Sequence, residues 1–322
     1  MLLAFGLLIL GIVVLLIAGD VMVRGAAALA RHWGVPSLIV GLTIVAFGTS
    51  APEMVVSVQA TMRGLGELAI GNVVGSNIAN VLLALGIPAL IMAIPTNISG
   101  VARNSFVCFV SIVLLVALAF IGNPMVFWQG AILFTGIILY LIWMFTLAKS
   151  GAHDPILEEM AEIDEGQDGL PTNTLLSLFW VVSGIAGLVL GGWLIVENAQ
   201  KIALAFGVSE TIIGLTIIAI GTSLPEIATV VIASYRGHSE VAIGNVLGSN
   251  IFNSFAVMGA AAMTGPVKVD RQLFVFDMWV MLVVTFALLV FVLTRKPIGR
   301  KTGAIFTIGY VLYMLAIARS LT

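Results

Sequence analysis

The chain has 322 residues, of which 60% are hydrophobic and only 9% are charged, and its formal net charge is −2. These proportions leave too few polar residues to cover the surface of a soluble globular protein of this size. The near-neutral net charge provides no excess of positive charge for binding nucleic acid. The single cysteine, Cys108, excludes an internal disulfide or a cysteine metal cluster. The sequence therefore predicts a polytopic protein whose main surroundings are the lipid bilayer.

Apolar segments long enough to cross about 30 Å of hydrocarbon follow one another along the chain. They fall at about 2–30, 37–62, 67–93, 104–121, 125–148, 173–205, 210–235, 240–264, 271–294 and 302–319. Each segment is continuously apolar instead of alternating, which favours helices over the strands of a barrel. The expected fold is an all-α polytopic membrane protein with ten transmembrane helices, five in each half.

The first apolar segment starts at Leu2 without a basic leader or a small-residue cleavage site, so we expect it to be a retained span and not a removed signal peptide. Residues 149–172 form an acidic linker between a first five-helix repeat, 1–148, and a second, 173–322. The linker carboxylates could bind regulatory calcium. Their spacing lacks the pattern of a calcium loop, which favours a solvated connection.

A sequence block occurs twice. Residues 41–86 read GLTIVAFGTSAPEMVVSVQATMRGLGELAIGNVVGSNIANVLLALG, and residues 214–259 read GLTIIAIGTSLPEIATVVIASYRGHSEVAIGNVLGSNIFNSFAVMG. The copies align without a gap at a constant offset (214 − 41 = 173), and about 26 of the 46 positions are identical. Each copy places one glutamate, Glu53 or Glu226, in an apolar segment, where a charge costs roughly 2.5–3.5 kcal/mol on insertion scales. Two such charges at matched positions predict a functional site.

Positive charges predict the orientation. With the N-terminus outside, the cytoplasmic ends carry nine lysines and arginines and the outer ends carry five, which is a modest positive-inside bias. We therefore expect both termini outside and the acidic linker in the cytoplasm. The second repeat then enters the membrane upside-down relative to the first. Inverted repeats that meet at a midplane site are typical of secondary transporters.

The chemistry of each copy points to a cation. Thr49 and Glu53 lie one helical turn apart, and Pro52 between them removes a backbone donor and frees a carbonyl near Gly48. The block GNxxGSNIxN adds a hydroxyl and an amide, again one turn apart. Oxygen donors without His or Cys favour hard cations such as calcium, sodium or magnesium. Two carboxylates could neutralise one calcium ion, two sodium ions or protons, so these residues leave the coupling ion open.

The paired GTSxPE and GNxxGSNIxN blocks resemble the alpha repeats of the cation/calcium exchanger superfamily, especially its prokaryotic sodium/calcium exchanger branch. This resemblance implies an antiporter that exchanges calcium for sodium by alternating access, with no resident cofactor. It also implies that the long first and sixth helices slide past a core of the second, third, seventh and eighth helices. The ion ligands it implies are Ala46, Thr49, Ser50, Glu53, Ser76, Asn80, Ala219, Thr222, Ser223, Glu226, Ser249 and Asn253.

One position departs from some relatives, which carry an aspartate in one copy where this chain has Asn80 and Asn253. With two fixed charges instead of three, a proton/calcium antiporter is the main alternative. An intramembrane enzyme is less favoured, since His32, His153 and His238 all fall at helix ends or in loops. A passive channel is less favoured because charges buried in a tight, inverted core suit occlusion better than a continuous pore, and another cation antiporter is also a less favoured alternative. We expect a monomer in a prokaryotic inner membrane that binds inorganic cations and no nucleic acid.

Overall fold

The computed structural model describes residues 2–35, 37–149, 170–206, 221 and 223–320. The described residues form helices joined by short loops. The α-helices are α1 (Leu2–Trp33), α2 (Ser37–Val40), α3 (Ala46–Thr49), α4 (Ala51–Met62), α5 (Gly66–Ala79), α6 (Gly86–Ile91), α7 (Val101–Ile121), α8 (Phe127–Lys149), α9 (Thr174–Ala205), α10 (Leu224–Tyr235), α11 (Ser239–Phe252), α12 (Met258–Thr264), α13 (Met278–Leu293) and α14 (Arg300–Ser320). Four π-helical segments join them, at Gly41–Val45, Asn80–Ala84, Asn253–Val257 and Leu273–Asp277.

The fold class is confirmed as an all-helical polytopic membrane protein, and the helix bounds follow the predicted apolar segments within a few residues. Seven helices of the described part are long and apolar enough to span a membrane, or eight if the bent pair Gly41–Thr49 and Ala51–Met62 is one span. The predicted segment 210–235 lies partly outside the described residues. The segment 302–319 forms the helix α14, which is not among those seven. The count of ten spans therefore stays a prediction.

Two spans form the centre of the molecule. In their apolar 18-residue windows, 78% of Gly66–Ile91 and 89% of Ser239–Thr264 is buried, against 22% of Leu2–Trp33. The outer helices instead expose large apolar side chains, such as Leu139 and Val283, as a lipid-facing surface requires. The repeated polar block thus lies in the core, and the purely apolar segments surround it.

The two longest helices, α1 and α9, pack against each other through glycines. A β-carbon at Gly191 would lie 2.8 Å from the backbone nitrogen of Leu15, and one at Gly25 would lie 2.9 Å from that of Val181. Such close backbone approach is how membrane helices associate without a hydrophobic driving force. It joins the first predicted span of one half to the first span of the other.

Loops of the two halves pair at both ends of the bundle. Ile94 and Ile298 exchange two backbone hydrogen bonds of 3.0 and 2.8 Å, and Met125 and Val267 exchange two of 2.8 Å. The 173-residue offset of the repeat converts one pair into the other (94 + 173 = 267 and 125 + 173 = 298). The 21-residue helix α7 separates the pairs by about 30 Å. Helices α7 and α13 consequently run in opposite directions.

The same offset gives Asp277 a counterpart in the first half of the chain. The Tyr313 hydroxyl donates to Asp277 Oδ1 at 2.9 Å, and the Tyr140 hydroxyl donates to Asn104 Oδ1 at 3.3 Å. Asn104 and Tyr140 are the counterparts of Asp277 and Tyr313 (104 + 173 = 277 and 140 + 173 = 313). The counterpart of Asp277 is thus an amide, and both side chains receive the same interhelical hydrogen bond.

Candidate cation-binding site

In each repeat a serine directly precedes the helix that carries the buried glutamate, and in the first repeat this serine breaks a span. Ser50 separates α3 from α4 with φ −86° and ψ 1°, and Ser223 precedes α10 with φ −88° and ψ 3°. Pro52 and Pro225 lie in the first turn of the helices that follow, where a missing N–H costs no helical hydrogen bond. The break bends the first of these spans by 50°. It brings backbone and hydroxyl groups to the depth of the carboxylates.

The two carboxylates are completely buried. Glu53 and Glu226 have no solvent-accessible surface, and they lie close enough for their charges to interact. Both oxygens of Glu53 and the Oε2 atom of Glu226 have no hydrogen-bond partner among the described residues. Buried carboxylate oxygens without a donor are costly in an apolar core. A bound cation or a proton would satisfy them.

Hydroxyl groups connect the two copies around these carboxylates. Ser50 Oγ donates to Glu226 Oε1 at 3.3 Å. Thr49 Oγ1 lies 3.4 Å from Ser249 Oγ, and Ser223 Oγ lies 3.5 Å from Ser76 Oγ. The helix break of each repeat therefore faces the amide block of the other repeat, and the site is shared between the halves.

Two asparagines complete the predicted set at the starts of matched π-helical segments, Asn80–Ala84 and Asn253–Val257. π-Helical turns are rare in proteins, but those that occur are often at functional sites, because the inserted residue displaces side chains and backbone groups from the helical register. Asn80 Oδ1 and Asn253 Oδ1 are buried and lack a hydrogen-bond partner among the described residues. Each repeat thus adds an amide oxygen that could serve as a cation ligand.

The structure buries every predicted site residue that it describes. Exposure is 2% or less for Ala46, Thr49, Ser50, Glu53, Ser76, Asn80, Ser223, Glu226, Ser249 and Asn253. The Ala46 carbonyl already accepts a hydrogen bond from the Ser50 N–H (3.0 Å), and the Thr49 hydroxyl oxygen lies 3.3 Å from it, so its second lone pair is the one it could offer to a cation. Ala219 and Thr222 lie outside the described residues, as do linker residues 150–169.

Further asparagines that the sequence did not assign as ligands line the same core. Asn72 Nδ2 donates to Ser57 Oγ at 3.1 Å, and Asn245 Oδ1 accepts from Thr49 Oγ1 at 3.1 Å. Both amides therefore support the broken helix of the first repeat. Asn77 and Asn250 hydrogen-bond across the repeats. The sequence could have indicated Asn77 and Asn250, because an asparagine follows the site serine in both copies, after Ser76 and after Ser249.

The donor set limits the chemistry of the site. It consists of carboxylate, hydroxyl, amide and carbonyl oxygens, and the described residues contain no group of three His, Cys, Asp or Glu side chains that could hold a metal ion. Oxygen donors with a formal charge of −2 suit a hard cation such as calcium or sodium, and do not suit zinc, copper or iron.

Comparison with known proteins identifies the family. The profile of the family described as "Sodium/calcium exchanger protein" matches residues 3–147 and 176–318. The sodium/calcium exchanger MaX1 of Methanosarcina acetivorans is 31% identical and the alignment covers 97% of this chain and 98% of that protein. CaxA of Alkalimonas amylolytica, which is named provisionally as an antiporter, is 38% identical over 97% of this chain and 98% of its own length.

Solved structures show the same relationship in three dimensions. The sodium–calcium exchanger NCX_Mj, in crystals soaked with sodium and without calcium, superposes with a TM-score of 0.83 at 29% identity over 98% of each chain. Exchangers are transporters and not enzymes. By sequence and by structure, the chain belongs to the sodium/calcium exchanger family and is a multi-pass membrane cation/calcium antiporter.

Proposed function

We propose that the protein exchanges calcium for sodium at a single site built from Glu53 and Glu226. The observation that carries this proposal is the pair of fully buried carboxylates, of which three oxygens have no partner in the described structure. Calcium takes six to eight oxygen ligands at about 2.3–2.6 Å. Two carboxylates with the surrounding hydroxyl and amide oxygens can supply that number.

The proposed ligands are the set named from the sequence. In the first repeat they are Ala46, Thr49, Ser50, Glu53, Ser76 and Asn80, and in the second Ala219, Thr222, Ser223, Glu226, Ser249 and Asn253. The burial of the ten described members and the hydroxyl contacts between repeats support this assignment. Because the site has a charge of −2, one calcium ion or two sodium ions would neutralise it. Calcium and sodium would therefore compete for the same carboxylates.

We further propose that the halves form two inverted repeats of five spans each, 1–148 and 173–322, joined by the cytoplasmic linker, with both termini outside. The antiparallel course of α7 and α13 supports the inversion, as does the offset that relates the loop pairs at opposite ends of the bundle. Alternating access follows if the closely packed pair of α1 and α9 moves as one body against the buried core. Exposure of the site would then alternate between the two faces.

The direct test is calcium uptake into proteoliposomes that contain the purified full-length protein. Vesicles loaded with sodium are compared with sodium-free vesicles that carry an imposed proton gradient. We expect uptake that follows the outward sodium gradient and is insensitive to an uncoupler. Calcium uptake that does not depend on the sodium gradient would contradict sodium coupling. If no calcium is taken up under either gradient, calcium exchange itself is contradicted.

Proton coupling is the second candidate, and one feature of the site favours it. Both oxygens of Glu53 lack a donor among the described residues, and the amides of Asn80 and Asn253 add no third charge. Protonation of the two carboxylates would therefore neutralise the site as fully as two sodium ions would. In that case calcium uptake follows an outward proton gradient in sodium-free vesicles and an uncoupler abolishes it.

A further inference from the structure

Three buried asparagines form a chain of hydrogen bonds between the repeats. Asn250 Nδ2 donates to the backbone carbonyl of Asn77 at 3.3 Å, and Asn80 Nδ2 donates to Asn250 Oδ1 at 3.0 Å. All three side chains have no solvent-accessible surface. Neither Asn77 nor Asn250 belongs to the proposed ligand set.

The chemistry of these groups fixes the direction of the chain. A backbone carbonyl can only accept a hydrogen bond, so Asn250 must turn its NH₂ group towards Asn77 and its oxygen towards Asn80. That oxygen can only accept, so Asn80 must present its NH₂ group to Asn250. The Oδ1 atom of Asn80 is thereby turned the other way, and it has no partner among the described residues.

The second repeat lacks this restraint. By the 173-residue offset, Asn77 is the residue that would hold Asn253 (77 + 173 = 250 and 80 + 173 = 253). Asn77 Nδ2 instead donates to Ser254 Oγ at 3.1 Å, and it also contacts the sulfur of Met281. The counterpart of Ser254 is Val81, which offers no hydroxyl. Within the described residues, neither amide atom of Asn253 has a hydrogen-bond partner.

We propose that Asn250 is a positioning residue that holds the Asn80 carbonyl oxygen towards the cation, whereas Asn253 can turn either end of its amide into the site. This inference rests on the proposed function. It assigns the two amides different roles: Asn80 provides a preoriented ligand, and Asn253 provides an adaptable one. A preoriented oxygen contributes to cation affinity because little rotational freedom remains to be lost on binding.

The test measures the calcium concentration that gives half-maximal uptake in proteoliposomes, together with the maximal rate. Asn250→Leu removes the hydrogen bond that holds Asn80 and the one that orients Asn250 against the Asn77 carbonyl. We expect it to raise that concentration about tenfold, the equivalent of about 1.4 kcal/mol. Ser254→Ala is the matched control, since it removes a buried hydrogen bond of Asn77 and leaves the chain from Asn77 to Asn80 intact. We expect it to change the concentration by less than about twofold.

A double-variant comparison separates positioning from simple destabilisation. When Asn80→Ala is present, Asn250→Leu should cause no further loss of calcium affinity, because no Asn80 oxygen remains to be positioned. An equal loss in both backgrounds, or a loss no larger than that of Ser254→Ala, would overturn the proposal. Absence of calcium uptake by the unaltered protein would instead overturn the proposed function, and this inference with it.

A second pair of variants applies if Asn250→Leu does not fold. Asn80→Asp sets a carboxylate oxygen against Asn250 Oδ1, whereas Asn253→Asp adds the same charge at a position without a partner. We expect calcium affinity to be about tenfold lower for Asn80→Asp than for Asn253→Asp. Equal affinities, or the reverse order, would overturn the proposal.

Discussion

The two repeats share their carboxylate chemistry and differ in how they hold their amides. Glu53 and Glu226 each follow a serine with nearly the same backbone angles and a proline in the first helical turn. At the end of the GNxxGSNIxN block, Asn80 of the first repeat is held by Asn250, whereas Asn253 of the second has no hydrogen-bond partner among the described residues. Duplication thus preserved both the charged and the neutral residues of the site, and the hydrogen bonds that hold the two amides diverged.

This difference has a physical reason. Two like charges at one site must be balanced together by the bound ions, so loss of either would leave the ion and the remaining carboxylate unmatched. A neutral amide contributes less, and its neighbours can change without leaving a buried charge. The predictions below test how far the equivalence of the repeats extends.

The largest effect is expected at the carboxylates. Glu53→Gln and Glu226→Gln each remove one of two charges, and we expect either change to reduce sodium-driven calcium uptake by at least about 100-fold, or about 2.7 kcal/mol. The insertion and folding of the protein should be unaffected, as judged by size-exclusion profiles in detergent. Robust exchange by both variants would contradict the site assignment.

A smaller difference is expected between the hydroxyls at the helix breaks. Ser50 Oγ donates to the Glu226 carboxylate. Among the described residues, the hydrogen bond of Ser223 Oγ is to Ser76 Oγ, at the limiting distance of 3.5 Å. Hydrogen bonds to charged groups contribute about 1.5–3 kcal/mol, and those between neutral groups about 0.5–1.5. We expect Ser50→Ala to raise the half-saturating calcium concentration about tenfold and Ser223→Ala about threefold. The opposite order would show that the repeats are not joined as described.

The substitution Ser57→Val makes the first repeat resemble the second. Ser57 accepts from Asn72, and its counterpart is Val230 (57 + 173 = 230). We expect Ser57→Val to lower stability by about 0.6–1.7 kcal/mol, the range measured for interhelical hydrogen bonds in membranes, with calcium affinity unchanged. Thermal unfolding in detergent measures the loss. Thr135→Val is the control, because the exposed Thr135 hydroxyl bonds only its own helix; an equal loss in both variants would contradict the role of Ser57.

The smallest effect is expected in the acidic linker. Glu158 belongs to a stretch without the spacing of a calcium loop, so Glu158→Gln should change the half-saturating calcium concentration by less than about twofold. The same uptake assay provides the measurement. A loss of tenfold or more would identify the linker as a regulatory calcium site.

Hydrophobicity and duplication made most of the fold predictable. The apolar segments gave helix bounds within a few residues, and the repeat located the carboxylates, hydroxyls and terminal amides of the site. The direction of an amide depends on partners from the opposite half. The hydrogen-bond chain Asn77–Asn250–Asn80 could therefore not be predicted, and neither could the lack of a described partner for Asn253. The match between Asp277 and Asn104 could not be predicted either, because Asn104 keeps the hydrogen bond of that position and not its charge.

The most direct test of the shared two-carboxylate site is equilibrium binding of radioactive calcium to the purified protein in detergent. It is measured with and without sodium, for the unaltered chain and for Glu53→Gln and Glu226→Gln. The account predicts one class of saturable calcium binding that sodium displaces and that either substitution abolishes. Calcium binding that persists in one of the two variants, or that sodium does not displace, would contradict the claim that both glutamates hold the same exchanged ion.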